Sequence, residues 1–124
     1  MSGDADRFRS VVERVDKPWG YEVRFAVTER YCGKLIFVRA GEALSLQYHE
    51  RKEETLYLHS GSAVVEIGER GEARATVTTS PGDSFHVRPG VVHRIRAVED
   101  ALFLEVSTPE TDDVVRLEDL YGRA

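Results

Sequence analysis

The sequence has a single cysteine, Cys32, so no disulfide can form within the chain. It has no apolar run long enough to span a bilayer and no signal-peptide pattern at its start, so a reducing, cytoplasmic setting with no membrane partner is expected. Positive charge is also in short supply. Seventeen Lys and Arg stand against 22 Asp and Glu, a net charge of −5, which argues against a nucleic-acid or anionic-membrane surface. A basic pocket inside an acidic shell stays open. Aromatic residues make up only 9%, yet 41% of the chain is hydrophobic, enough for one packed core. Charged residues at 31% give a solvated surface without the composition of disorder. At 124 residues the chain fits one domain.

Helical periodicity is scarce too. Phe8, Val11, Val12 and Val15 are spaced i, i+3, i+4, i+7, which predicts a helix capped by Asp4 or Asp6, but β-branched valines suit an extended arm equally well. Lys17-Pro18-Trp19-Gly20 ends either one, with Trp19 read as a packing anchor. Beyond it, short alternating segments are separated by turns at Gly41, Gly61, Pro81-Gly82 and Pro89-Gly90. The segments are YEVRFAV, RYCGKLIFVRA, ALSLQYH, TLYLHS, SAVVEI, EARATVTTS, SFHV, VVHRIRAV and ALFLEVS. This predicts an all-β, single-domain antiparallel barrel. Residues 17–108 would form the barrel, 1–16 an N-terminal arm that crosses to a partner subunit, and 109–124 a tail packed back on it.

Two clusters carry chemistry. Gln47 and His49 lie two apart and leave one face of a strand. Glu54 follows a charged turn, and if the flanking strands pair through that turn its carboxylate returns beside His49. His93 opens another strand after Pro89-Gly90. Two imidazoles, a carboxylate and an amide oxygen suit a divalent ion, and with no thiolate the set is open to zinc, cobalt, manganese, iron or nickel.

Gly41-x-x-Leu-Ser-Leu-Gln47-x-His49-x4-Glu54-x6-Gly61 resembles the first cupin motif, with Gln in place of its first His. Gly82-Asp83-Ser-Phe-His-Val-Arg-Pro-Gly90-Val-Val-His93 resembles the second. Lys17-Pro-Trp-Gly-Tyr21 and the ending Asp113-Val-Val-Arg116-Leu-Glu-Asp-Leu-Tyr121-Gly-Arg123 resemble the opening and close of one branch. That branch is the type II mannose-6-phosphate isomerase domain found C-terminal in bifunctional mannose-1-phosphate guanylyltransferases. The resemblance runs from about residue 15 to 123. It implies a double-stranded β-helix (jelly roll), a metal held by Gln47, His49, Glu54 and His93, a phosphorylated sugar substrate and a homodimer. It also implies aldose–ketose interconversion through a metal-stabilised enediolate. Where that branch carries Arg-Ala-Glu before His-Trp, this chain has Lys52-Glu53-Glu54-Thr55-Leu56. Arg88 and Ala97 replace its Pro and Asn.

Such a reaction needs a proton carrier and a cationic grip on phosphate. Lys52 is a catalytic candidate or a solvated turn lysine. Lys34, in phase with Ile36 and Val38, is a candidate if that face lines the barrel. Arg94 is a substrate-binding candidate, although its odd parity to His93 favours a rim or ion-pair role. Arg116 and Arg123 are phosphate candidates or structural partners of Asp112, Asp113 or Asp119. His59 and His86 fall out of phase and read as structural, and Cys32 as inert. A metal-dependent cupin dioxygenase and a non-enzymatic sugar- or metabolite-binding cupin are the alternative functions.

Overall fold

Period-two alternation buries one face of a strand only when a neighbouring strand satisfies its backbone groups, and the middle of this chain pairs throughout on that rule. A computed structural model describes residues 3–123. A short helix α1 (Gly3–Asp6) precedes the strands β1 (Glu13–Lys17), β2 (Gly20–Val27), β3 (Cys32–Val38), β4 (Leu46–Tyr48), β5 (Glu54–Ser60) and β6 (Ala63–Gly68). They continue as β7 (Ala75–Thr79), β8 (Ser84–Val87), β9 (Val92–Ala97), β10 (Ala101–Ser107) and β11 (Val115–Glu118). One antiparallel sheet has the order β1-β2-β3-β10-β5-β8 and the other β11-β4-β9-β6-β7. The chain passes back and forth between the two sheets, and this is the all-β jelly roll expected. Among the described residues no helix is long and apolar enough to cross a membrane.

The N-terminal segment departs from its helical reading. After α1 the chain is irregular, and Glu13 to Lys17 pair antiparallel with Arg24 to Gly20 of β2. The β-branched Val11, Val12 and Val15 lose side-chain freedom in a helix, and the open edge of β2 supplies a full ladder instead. The end of the supposed arm is therefore a sheet strand of its own subunit. The tail also holds an unforeseen strand, since β11 pairs with β4, placing Arg116 opposite Gln47.

What positions the site is a change of character along the inward face of the larger sheet. Val38 faces Ala101 and Ile36 faces Phe103, which in turn faces Leu58. Phe103, Leu58 and Val38 are fully buried, with Trp19, Val65 and Ile95 in the same cluster. Each such side chain contributes roughly 1.5–3 kcal/mol by its burial. Two residues further along the same strands the inward pairs become Lys34 with Glu105, then Cys32 with Ser107 and Ser107 with Glu54. One half of the barrel is thus hydrocarbon and the other half is charged.

Gly61 makes the turn from β5 to β6 possible. Its φ is +86°, and a Cβ there would sit 1.9 Å from the Asp100 carbonyl oxygen. The outer face of the larger sheet is apolar as well. Val23, Leu35, Leu104 and Tyr57 form one row across four strands, and Tyr21, Phe37 and Leu102 the next. The Tyr21 and Phe37 rings stack at 5.0 Å.

Candidate metal centre

The strand that ends at Tyr48 delivers Gln47 and His49 to the charged half of the barrel, and β9 delivers His93 directly opposite Gln47. Glu54 arrives differently from its sequence expectation. β4 and β5 belong to different sheets and do not pair. The turn between them carries the chain across the barrel, and Glu54 meets His49 from the facing wall. A hydrogen-bond ladder is not what holds the two ligands together; the crossing loop is.

Asp113 of the tail pins that loop. Its carboxylate accepts the backbone N–H groups of Glu50 (3.3 Å), Arg51 (2.6 Å) and Lys52 (2.9 Å). These donors, Arg51 foremost, hold the Asp113 carboxyl below its ordinary range. The Asp113 carbonyl oxygen lies 2.6 Å from His49 Nδ1. Val91 offers its carbonyl to His93 Nδ1 at 3.0 Å. A carbonyl only accepts, so both imidazoles carry their proton on Nδ1 and turn the Nε2 lone pair inward. Burial keeps His93 neutral by lowering its pKa, which suits a ligand nitrogen.

The two inward nitrogens converge on one carboxylate. Glu54 Oε2 is 2.7 Å from His49 Nε2 and 3.7 Å from His93 Nε2. All three residues are buried, and their ligating atoms lie within 4.8 Å of one another. His49 Nε2 and Glu54 Oε2 are each buried without a hydrogen-bond partner. Burial opposes ionisation of Glu54, yet the polar groups around it, of which Lys52 carries a full positive charge, outweigh burial and hold its carboxyl well below the ordinary range. Two buried lone pairs facing each other at that distance repel unless a proton or a cation lies between them. The donor set fits a divalent metal. Gln47 borders the same cavity, with its Oε1 accepting from Ser45 Oγ at 2.6 Å and a second lone pair to spare.

Lys52 is no solvated turn lysine. It is buried, with Nζ 3.0 Å from Glu105 and 3.9 Å from Glu54. Burial alone would lower its pKa, but Glu105 and Glu54 reverse the balance and raise it. Lys34 also faces inward and is buried, 3.7 Å from Glu22 and 4.0 Å from Glu105. Glu105 sits between the two ammonium groups, and burial with Glu54 nearby pushes its carboxyl up. Arg94 borders the cavity with its guanidinium held by Glu66 (3.0 Å) and Glu118 (3.4 Å), the ion-pair role its parity suggested. Arg116 and Arg123 line the cavity as well, and Arg123 is bound to Asp119 at 2.8 Å. His59 and His86 are exposed on the outside, His86 beside Glu53.

Glu22, Glu105, Lys17 and Arg24 escaped the sequence reading although they line the cavity. Glu105 left a signal, as the one charged residue in ALFLEVS and in phase with the core residue Phe103. Glu22 shares its phase with Gly20, Arg24 and Ala26, none of them a large apolar residue, and only the fold reveals that it points inward.

Residues 34–107 match the family model described as Cupin domain. The chain is 33% identical over 116 residues to the xanthan biosynthesis protein XanB of Xanthomonas campestris pv. campestris, covering 89% of this chain and 24% of that one. It is 35% identical over 114 residues to the mannose-1-phosphate guanylyltransferase ManC of Salmonella typhimurium, covering 88% and 23%. The chain thus spans about a quarter of the length of these curated relatives. Among solved structures, the capsular polysaccharide assembling protein CapF of Staphylococcus aureus superposes with a TM-score of 0.78. The identity is 17%, over 92% of this chain and 34% of that one.

Proposed function

The chain belongs to the cupin family, and from that premise we propose that it is a metal-dependent isomerase acting on a phosphorylated sugar of the mannose 6-phosphate class. The observation that carries the reading is the buried His49–Glu54–His93 cluster, whose unpartnered atoms face each other beside a lysine–carboxylate pair. The Salmonella relative's name ties it to mannose 1-phosphate, which supports a phosphosugar as ligand.

His49, Glu54 and His93, with Gln47 as fourth donor, would hold a divalent ion, which supplies Lewis-acid charge to the carbonyl and hydroxyl oxygens of a bound sugar. The chain's own part is to move a proton between neighbouring carbons of the sugar. Glu105, with its raised pKa, takes the proton from the carbon beside the carbonyl and returns it to the adjacent carbon. Lys52, kept as an ammonium, gives a proton to the carbonyl oxygen as negative charge grows there and regains one from the neighbouring hydroxyl as that oxygen becomes the new carbonyl. Lys34 holds Glu105 in place from the other side. Arg94, Arg116 and Arg123 set the positive potential of the cavity.

Protein loaded with cobalt or zinc is expected to exchange the C2 proton of mannose 6-phosphate with deuterated solvent and to form fructose 6-phosphate. A chelator should abolish both. No exchange with mannose 6-phosphate, fructose 6-phosphate or other hexose phosphates overturns the reading. Oxygen uptake by bound iron would establish the dioxygenase instead, and tight sugar binding without turnover the binding module.

For assembly the same reading proposes a homodimer. Strands with one solvated face alternate apolar with polar, whereas β2, β3, β10 and β5 present apolar rows outward. Phe8, Val11 and Val12, at 73%, 87% and 62% exposure, lead into the edge strand of that same sheet. A second copy covers both at once. The expected solution mass is twice the 14.0 kDa of the chain, read by light scattering; a monomer at micromolar concentration refutes it.

A further inference from the structure

Buried carboxylates and cations alternate in one line from the metal centre to the far wall of the cavity. Glu54 lies 3.9 Å from Lys52, which lies 3.0 Å from Glu105. Glu105 is 4.0 Å from Lys34, and Lys34 is 3.7 Å from Glu22. At Glu22 the alternation stops. One carboxylate there faces Arg24 at 2.8 Å and Lys17 at 4.0 Å in addition to Lys34.

The line therefore holds four cations against three carboxylates, and its surplus sits at the Lys17–Arg24 end. Burial differs in the same sense. The side chains of Glu54, Lys52, Glu105, Lys34 and Glu22 are 3–7% exposed, whereas those of Lys17 and Arg24 are 25% and 24% exposed and border the open cavity. Arg24 spends its Nε and one terminal nitrogen on Glu22, and its other nitrogen lies 3.7 Å from the solvent-exposed Glu13. Lys17 has the weakest partner of the line. Its ammonium is crowded by Arg24, Lys34 and Arg123, and both burial and these cations depress its pKa. A group so placed gains most from an anion arriving in front of it.

We propose that Lys17 and Arg24 form the binding site for the dianionic phosphate of the sugar whose carbonyl end lies at the His49–Glu54–His93 cluster. This rests on the phosphosugar reading of the cavity and fixes where the phosphate goes. The two ends are on β5 and β1–β2, and β5 and β2 are three strand spacings apart, about 14 Å between backbones. Side chains from both ends line the same cavity. The buried line between them matches the polar middle of such a molecule, with Lys52, Glu105 and Lys34 facing its hydroxyl groups.

The test is calorimetric titration of the zinc-loaded full chain with mannose 6-phosphate, mannose and inorganic phosphate, together with zinc analysis of each protein. Wild type is expected to prefer mannose 6-phosphate to mannose at least tenfold and to bind inorganic phosphate competitively. Lys17→Met should remove most of that preference while leaving mannose affinity and zinc content unchanged, since Glu22 keeps Arg24 and Lys34. Lys17→Arg should restore it. Equal affinity of wild type for the two sugars overturns the proposal, as does an undiminished preference in Lys17→Met or a failure of inorganic phosphate to bind. Because binding is read without turnover, phosphate discrimination in a protein that exchanges no C2 proton would sink the isomerase reading and leave this site standing.

Discussion

Glu54→Gln is expected to cost the protein its metal and yet to stabilise the metal-free form. The ordinary intuition is that removing a buried, paired carboxylate destabilises a fold by several kcal/mol. Here the carboxylate oxygen stands 2.7 Å from a nitrogen whose lone pair points at it, and neither atom has a hydrogen-bond partner. An amide of the same shape turns its NH2 toward His49 Nε2 and makes the missing hydrogen bond. Lys52 loses a partner at 3.9 Å but keeps Glu105 at 3.0 Å, so no buried charge is orphaned. Towards a divalent ion the change runs the other way, since one formal negative charge and one strong oxygen donor are lost. Altering a residue that merely supports a ligand already costs about 10- to 100-fold in affinity, so a hundredfold loss is a lower estimate for a ligand itself. A hundredfold excess over Kd is worth about 2.7 kcal/mol of stability. Thermal melts with and without a chelator separate the two effects. Wild type should melt lower after metal removal, Glu54→Gln should not respond, and the metal-free variant should melt at or above metal-free wild type. A variant that retains stoichiometric metal, or whose metal-free form is clearly less stable than metal-free wild type, sinks the argument.

The same cluster shows what a sequence can and cannot disclose. His49, Glu54 and His93 were legible through the resemblance to the two cupin motifs; their types and spacing alone left a metal site open. Strand phase correctly sent His59 and His86 outward, since alternation survives any choice of pairing partner, but it left the facing of Lys34 open until the fold showed which side of β3 lines the barrel. Pairing itself was not legible. Whether β4 meets β5 or crosses to the other sheet depends on long-range contacts, and a charged turn of four residues permits both. For that reason the path by which Glu54 reaches His49 was misread while its destination was right. Lys52 was ambiguous for a related reason, because only the crossing loop turns it into the barrel beside Glu105. β1 was missed because valines at helical spacing carry no record of the open edge of β2 that captures them. Lys17 and Arg24 gain their meaning only when β1 and β2 bring them to one carboxylate.

Asp113→Ala tests whether the tail assembles the metal centre or only packs against it. The carboxylate of Asp113 fastens three successive N–H groups of the loop between His49 and Glu54, and its own carbonyl orients His49. Thr108 Oγ1 takes the next N–H, that of Glu53, at 3.0 Å. Since β4 and β5 share no ladder, this fastening fixes the distance between the two ligands. The alanine variant keeps the carbonyl, so His49 retains its tautomer, but the loop loses its anchor and Glu54 gains freedom to swing. Metal affinity should fall about 10- to 100-fold, as for other residues that orient ligands without touching the metal. Strand content by circular dichroism should not change, because none of the ladders uses this side chain. Asp113→Asn keeps one acceptor oxygen and loses the charge, and it should fall between wild type and alanine. Leu117→Ala provides the control, lying on β11 in the same tail and half exposed. If the tail is only a cover, Leu117→Ala and Asp113→Ala will bind metal alike. If it is part of the centre, competition against a chelator of known affinity will weaken for Asp113→Ala alone, and arginine candidates on the same tail, Arg116 and Arg123, will owe their place in the cavity to the same anchor.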